Sequence, residues 1–439
     1  MAVLTIATLT LQAEGLGHLS GRVVFVPGAL PGETVEIELT EEKKNYSRGR
    51  LVRILDPSPE RVAPPCPHFE RCGGCQVQHL PAEAQDRCKV ENFRTAMVHA
   101  LKQPDLPLLP LLEAPQRFHY RQRLRLKLGG PGRPVLGFYQ LRSHRIIPID
   151  RCLLADPQIN DILDFLRPWL AGRPPFPEPA DLEIRLLGEN RGATLLISGW
   201  LSLSTAQKIR MARDLKKKKE IETVFFQDRS EGPLTGSDLF SPERHAALYR
   251  VPLGPAWPQQ EISLAVFPQV FSQVNLFQNR RLIALLRGLP LLTSQDRIWD
   301  LFCGQGNFSI PLSFGTAAVT GVESFAPAVE NAIWNQQINS GSRCRFIRAT
   351  AREGLSRLIR SGERPDWVLL DPPRSGAGTI IPVLAELRAK GIFYVSCEPM
   401  TLFRDLSLLL RAGWRLEWTQ PLDFFPQTYH LESLSLLRR

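Results

Sequence analysis

The sequence predicts a multidomain α/β protein in three parts: a small N-terminal β-barrel, a β-rich central domain and a C-terminal, doubly wound, mainly parallel α/β domain. Three observations predict it. Up to residue 55, short alternating runs are broken by glycine turns; from Phe118 to about Pro258 strand patterns dominate; from Arg297 onward strands and helices alternate. A chain of 439 residues suits roughly two to four domains rather than one core.

With 43% hydrophobic and 22% charged residues the composition is that of a globular protein. The net charge of +10 suits a polyanionic partner, nucleic acid being the commonest. The opening MAVLTIATLTL lacks the basic start and long apolar core of a signal peptide. No apolar run reaches the roughly 18 residues of a membrane span. A cytoplasmic, monomeric protein with no membrane association is expected. In a reducing compartment its eight cysteines are ligands, nucleophiles or core residues rather than disulfides.

In residues 1–55 the stretch RVVFVPGALPGETVEIELTEEKKNYSRGRLVRIL alternates, turns at Pro27-Gly28 and Pro31-Gly32, and alternates again. The proline-rich DPSPERVAPPCP from Asp56 then reads as a linker. Residues 66–260 form the central domain. It opens with a cysteine cluster, followed by an amphipathic helix over Ala82–Leu101 that packs either in this domain or on the C-terminal one. Helices are expected near Gln158–Leu170 and Ser204–Lys218. In the strand Tyr120–Leu128, Arg121, Arg123, Arg125 and Lys127 share one face and Leu124, Leu126 and Leu128 the other.

Residues 261–439 form the third part. A strand ending at Asp300 runs into LFCGQGNF, where Gly304 and Gly306 open the next helix, and Glu323 ends the following strand. Glycines there let a ligand approach the backbone, and a carboxylate about 20 residues on can accept ribose hydroxyls. The third glycine of a dinucleotide fingerprint is replaced by Ser309, which suits S-adenosylmethionine better than NAD. Asp371, in LLDPPR, ends the fourth strand and faces the same crevice. Enzymes that methylate exocyclic amines carry an aromatic residue where Arg374 stands, which ranks that reading second.

The fifth strand ends in YVSCEP, which places Cys397 at the carboxyl edge of the sheet with a helix following near Thr401. A helix N-terminus is expected to lower the thiol pKa. Carbon 5 of uracil is too weak a nucleophile to take a methyl group unaided, and thiolate addition at carbon 6 activates it. A base must then remove the proton on carbon 5. Glu432, in YHLESLSLL, is the candidate.

Together FSQVN (Phe271 to Asn275), DLFCGQGNF, GVE, LLDPPR, VSCEP and HLES resemble the RNA uracil-C5 methyltransferase family nearly end to end. The resemblance implies a class I (Rossmann-like) methyltransferase domain. It also implies that Gln273, Phe302, Asn307, Glu323 and Asp371 contact S-adenosylmethionine, that Cys397 is the nucleophile and that Glu432 is the base.

Cys66, Cys72 and Cys75 in CPHFERCGGCQVQH, with the distant Cys152, can complete a tetrahedral site for zinc or a [4Fe–4S] cluster, and spacing does not separate the two. The resemblance implies the cluster, because C-x5-C-G-G-C-x-x-Q-H is the family's cluster motif. Cys88 is read as a packing residue, and His68 and His79 as surface or capping histidines.

Residues 1–55 resemble a TRAM domain, an OB-like RNA-binding barrel, in which Lys43, Lys44, Tyr46 and Arg48 offer phosphate contacts and a stacking ring. The basic face from Arg121 to Lys127 is a second candidate surface, and the lysines at 216–219 are read as a solvated helix end. The resemblance favours 23S rRNA as substrate, with uridine 54 of tRNA as the rival. The rival of another class is a non-catalytic RNA-binding protein.

Overall fold

The computed structural model describes residues 1–129, 134–173, 180–188, 191–199, 203–228, 234–236, 240–253 and 261–439. Five strands, Ala2–Leu9, Glu14–Leu19, Arg22–Pro27, Thr34–Glu42 and Tyr46–Asp56, close into a barrel. Closure comes from antiparallel pairing of the first strand with the fourth and parallel pairing of the third with the fifth. Alternation sends Leu4, Ile6, Val24, Val26, Val35 and Ile37 inward.

The central sheet has seven strands, ordered Thr235–Gly236, Ile221–Gln227, Ala193–Ser198, Ala180–Leu186, Arg123–Gly129, Val135–Tyr139 and Ile146–Pro148. Helices Pro157–Ala171 and Thr205–Leu215 bury their apolar faces in its core. Both start on side-chain caps: Asp156 accepts from the Gln158 amide, and Ser204 forms a capping box with Gln207.

The second seven-stranded sheet is built from Arg297–Leu301, Ala318–Glu323, Cys344–Arg348, Trp367–Leu370, Gly391–Ser396, Arg415–Leu422 and Glu432–Arg438. Numbered in chain order, these strands lie 3-2-1-4-5-7-6. The first five are parallel, and the last runs antiparallel between the fifth and the sixth. Near-continuous burial of WVLL and GIFYVS follows from helices on both faces.

Two neighbouring segments complete this unit. The helix Ala82–Leu101 inserts Phe93 and Met97 into the core that holds Leu402 and Phe403, with the Phe93 and Phe403 rings 5.1 Å apart edge to face. After it, the chain adds along the strand Arg415–Leu422 through amides of Leu109 and Leu112 that donate to Thr419 and Pro421. The hairpin Ala247–Pro252 with Glu261–Val266 packs Tyr249, Val251, Ile262 and Leu264 into the opposite face. The expected division at 260/261 therefore falls inside this hairpin, because its apolar side chains belong to the second sheet's core. Residues 254–260 themselves lie outside the described residues.

Buried ion pairs fix the helix to the sheet. Lys89 Nζ lies 2.8 Å from Asp423 Oδ1, and Arg117 reaches both Asp423, at 3.0 Å, and Asp86. Burial pulls the Lys89 pKa down and Asp423 opposes it.

Candidate active site

Parallel strands deliver all their carboxyl ends to one edge, so Leu301, Glu323, Leu370 and Ser396 finish side by side. The final strand runs the other way and starts there, at Glu432. Ser396 pairs with Ser433, so the next position outward sets Cys397 beside Glu432. Asp371 follows Leu370 on the adjacent strand. Three candidates from distant parts of the sequence thus meet at one edge.

Their electrostatics follow from burial. It pushes the Cys397 thiol up to about 11, with Glu432 and Asp371 adding to the rise and Arg374 opposing it. The lowered thiol pKa expected from the helix Pro399–Arg411 is therefore not found, because desolvation and two carboxyls outweigh a partial positive charge. Burial, then Asp371, raises Glu432 well above the ordinary carboxyl value, and Glu432 Oε2 has no hydrogen-bond partner. Burial, then Asp300, raises Asp371 to about 7.

The glycine turn sits at the same edge. Gly304 and Gly306 have φ of 54° and 84°, and a Cβ at Gly306 would stand 3.2 Å from the Phe346 ring. Phe302 also has a positive φ, 69°, a strained conformation for a bulky residue. Glu323 closes the turn: Oε1 accepts from the Ser324 and Phe325 amides at 2.7 and 2.8 Å, and Oε2 from the Gly304 amide at 3.1 Å. With only that one donor, Oε2 retains acceptor capacity.

Asn307 reaches the turn with its amide already engaged. Its Nδ2 donates to Asn279 (3.0 Å), and its Oδ1 accepts from Asn279 (2.8 Å) and from Tyr249 (2.9 Å). Gln273 lies in the segment before the helix Leu276–Arg287, and its side chain makes no hydrogen bond among the described residues. That segment is fixed by the Gln122 amide, which donates to Val274 O, and by Asn275, which donates to Phe424 O at 3.1 Å.

Sequence reasoning missed Asp300, Tyr249 and Asn279. Asp300 is buried, accepts from Ser309 Oγ at 2.5 Å and leaves Oδ1 unpartnered; burial raises it to about 7. Its place just before the glycine turn was the available signal. Also missed was a cavity of about 140 Å³ beside Cys397, walled by the barrel loop Leu9–Ala13, by Lys89 and Asn92 of the long helix, and by Tyr429 and His430. Asn92 Nδ2 donates to Thr10 O at 3.0 Å, fastening the barrel to that wall.

The cysteine loop lies against the central sheet: the Gly73 amide donates to Tyr139 O at 3.0 Å, and the Asp150 amide to His68 Nε2 at 3.3 Å. The Cys72 thiol feels both Cys152 and Cys66, and the Cys75 thiol feels Cys152 and Cys72, so Cys152 lies within electrostatic range of Cys72 and Cys75. Among the described residues, no group of three or more His, Cys, Asp or Glu side chains is arranged to hold a metal ion. His68 and His79 are buried rather than at the surface. The His79 ring packs 5.3 Å from Phe69, and burial draws its pKa down to about 4.

The expected RNA surfaces divide. On the central strand Arg125 and Lys127 pair with Asp181 at 2.7 and 2.5 Å, and Arg123 lies 3.8 Å from Glu183. Arg121 leaves that face: its Nε is buried without a partner, and its charge acts on Cys75 and Cys152. Carboxylates of the neighbouring strand thus offset most of this face. On the barrel, Arg48 binds Glu14 at 3.0 Å and Lys43 lies 3.2 Å from Glu41, while Lys44 is exposed and in no ion pair among the described residues.

A 3-2-1-4-5-7-6 sheet with a glycine turn after its first strand and carboxyls along its carboxyl edge defines a class I methyltransferase fold. The family model described as tRNA (Uracil-5-)-methyltransferase matches residues 259–439, and that of the TRAM domain matches residues 4–52. The 23S rRNA (uracil(1939)-C(5))-methyltransferase RlmD of Pectobacterium atrosepticum is 34% identical over 98% of this chain and 92% of its own. Its Vibrio cholerae counterpart is 33% identical over 98% and 94%. The chain belongs to the RNA uracil-C5 methyltransferase family and is an enzyme of that class. The crystal structure of Pyrococcus abyssi tRNA (uracil-54, C5)-methyltransferase in complex with S-adenosyl-L-homocysteine shares the fold, with a TM-score of 0.72 at 22% identity, covering 99% of this chain and all of that one. No helix among the described residues is long and apolar enough to cross a membrane.

Proposed function

We propose that this enzyme methylates carbon 5 of a uridine in 23S rRNA, with Cys397 as nucleophile and Glu432 as base. The observation that carries the reading is the placement of Cys397 beside Glu432 across two antiparallel strands, with Asp371 on the next strand.

S-adenosylmethionine supplies an electrophilic methyl group. The residues fit it: Asp300 and Asp371 have no cationic partner among the described residues, and Asp300 Oδ1 is buried and unpaired, which suits a cationic ligand. Glu323 Oε2 is available to a ribose hydroxyl, and the backbone of Phe302 lines the turn. Gln273 offers a free amide, whereas Asn307 would act through its backbone or by yielding its bond to Asn279.

The thiolate of Cys397 adds to carbon 6, and the electron pair of the carbon 5–carbon 6 bond passes into an enolate. Carbon 5 uses that pair to take the methyl group, whose bond to the sulfonium sulfur would break with its electrons left on sulfur as a neutral thioether. Glu432 then accepts the proton from carbon 5, the double bond re-forms and the thiolate leaves. A carboxyl held above its ordinary pKa is a better base for this step.

Cys66, Cys72, Cys75 and Cys152 are read as the ligands of a [4Fe–4S] cluster that joins the loop to the central sheet. Support comes from the electrostatic influence these thiols exert on one another, from the Gly74 amide that donates to Cys72 Sγ at 3.4 Å, and from the unpaired Arg121 Nε, whose charge reaches Cys75 and Cys152. A half-buried guanidinium offsets the negative charge of thiolate ligands. We read residues 1–55 as the RNA-binding barrel, the chain from residue 66 up to the hairpin that starts at Ala247 as the cluster-bearing domain, and the chain from that hairpin to residue 439 as the catalytic domain, with the helix Ala82–Leu101 packed on the latter.

Identities above 30% to enzymes named for 23S rRNA favour rRNA. The shared fold of an enzyme named for tRNA uracil-54 keeps tRNA as the second reading. Mapping 5-methyluridine across all RNA of cells with and without the gene decides between them. Loss of the modification from 23S rRNA alone is expected; loss from tRNA alone would overturn the preferred substrate.

A further inference from the structure

The geometry points to Phe271 as a stacking platform for a nucleobase of the RNA substrate, an inference that rests on the uridine-methylating reading above. Phe271 is 66% exposed, more than any other large apolar side chain described except Met1. A single exposed apolar residue is ordinary on a protein surface and needs no explanation. Three further observations set this one apart.

First, the ring is backed. The guanidinium of Arg123 lies over it, 5.2 Å from the centroid, so one face is covered by a planar cation and the other is left for a ligand. Arg123 is itself held, with its side chain 17% exposed and Glu183 3.8 Å away. A cation–π contact of this kind also fixes the orientation of the ring.

Second, the backbone is anchored on both sides of it: before it, Arg185 donates to Val270 O at 2.8 Å, and after it residues 274 and 275 are held. Arg121 and Asn275 form an antiparallel bridge, the Gln122 amide donates to Val274 O, and Asn275 donates to Phe424 O. An exposed aromatic on a rigid segment loses little entropy when a base stacks on it. Third, the same segment leads to the candidate active site: Gln273 follows two residues later, and Phe424 begins the stretch that runs through Tyr429 and His430 to Glu432.

A π-face accepts any base, so the ring contributes affinity and positioning rather than sequence recognition. The base it takes is either the target uridine, swung out of its stack, or a neighbour displaced by that movement. Both offer the same chemistry to the ring.

The test uses the full-length protein and an RNA fragment of 23S rRNA spanning uracil 1939. Phe271→Ala should weaken RNA binding on the order of 10- to 100-fold, the scale of one lost base stack, and leave S-adenosylmethionine binding by calorimetry unchanged. Phe271→Trp should restore the affinity, and the new indole fluorescence should be quenched when RNA saturates the protein, a signal that a merely structural residue would not give. Repeating the titration with an abasic site at the target position separates the two sources: lost quenching identifies the target base, and retained quenching a neighbour. Wild-type affinity in Phe271→Ala, or an indole that stays bright at saturation, overturns the inference. The fragment's conversion to 5-methyluridine by the wild-type protein is scored separately, so failure of the functional reading is distinguishable from failure of this one.

Discussion

Cys397 and Glu432 stand at the same level of two adjacent antiparallel strands, one residue beyond the paired Ser396 and Ser433. Burial, then this carboxyl and that of Asp371, raise the thiol's pKa to about 11, so at pH 8 roughly one thiol in a thousand is ionised. Iodoacetamide should therefore alkylate Cys397 ever faster up to a midpoint near pH 11. Glu432→Gln removes a negative neighbour and should move that midpoint down. An unchanged midpoint would mean that the two groups do not share a site. The same variant should accumulate a protein–RNA adduct on denaturing gels, since addition proceeds and elimination stalls, whereas Cys397→Ala should give neither adduct nor product.

Asp371 should make cofactor binding depend on pH. Its pKa is raised to about 7 by burial and then by Asp300, and a cationic ligand favours the ionised form. Affinity for S-adenosylmethionine should rise from pH 6 to pH 8, and calorimetry on Asp371→Asn should show a flatter profile. The sign for stability is opposite. A carboxyl with a folded-state pKa above its unfolded value of about 4 costs stability as pH rises through that interval. Asp371→Asn should therefore raise Tm at pH 8 and leave it nearly unchanged at pH 4.

Asp423 is expected to be the costliest surface-remote polar residue to remove. It is fully buried and serves both Lys89 and Arg117. Asp423→Ala strands the buried Lys89 and leaves Arg117 with Asp86 alone, and should cost about 3–5 kcal/mol in chemical denaturation. Lys89→Met leaves Asp423 with Arg117 and should cost less. Equal losses would show that the aspartate matters only for packing.

The cysteine site has a direct chemical check. Protein purified without oxygen should be brown and carry about four iron and four sulfide per chain. Cys66→Ser, Cys72→Ser, Cys75→Ser and Cys152→Ser should each bleach it. Cys88→Ser should not, because Cys88 packs with Leu9, Leu30, Leu80 and Ala84. Zinc in place of iron would overturn the assignment.

Most elements and their order are legible in the amino-acid sequence. Period-two runs with glycine turns marked the barrel, and strand–helix alternation from Arg297 marked the doubly wound sheet, because local periodicity reflects which face is buried. The motifs at the strand ends placed Glu323, Asp371 and Cys397 on one edge, since parallel strands have no other way to present their carboxyl ends. What surrounds those residues emerges only once distant segments have packed together. The pKa of Cys397 runs opposite to the helix-terminus expectation because desolvation and the carboxyls of Glu432 and Asp371 come from remote segments. Arg121 reads as part of a solvated basic face, yet the fold turns it toward Cys75 and Cys152, while Asp181 and Glu183 offset the rest of that strand. The barrel loop Leu9–Ala13 walls the cavity beside Cys397, nearly 400 residues away in the chain, a relation that local periodicity does not encode because it depends on how separately folded surfaces dock.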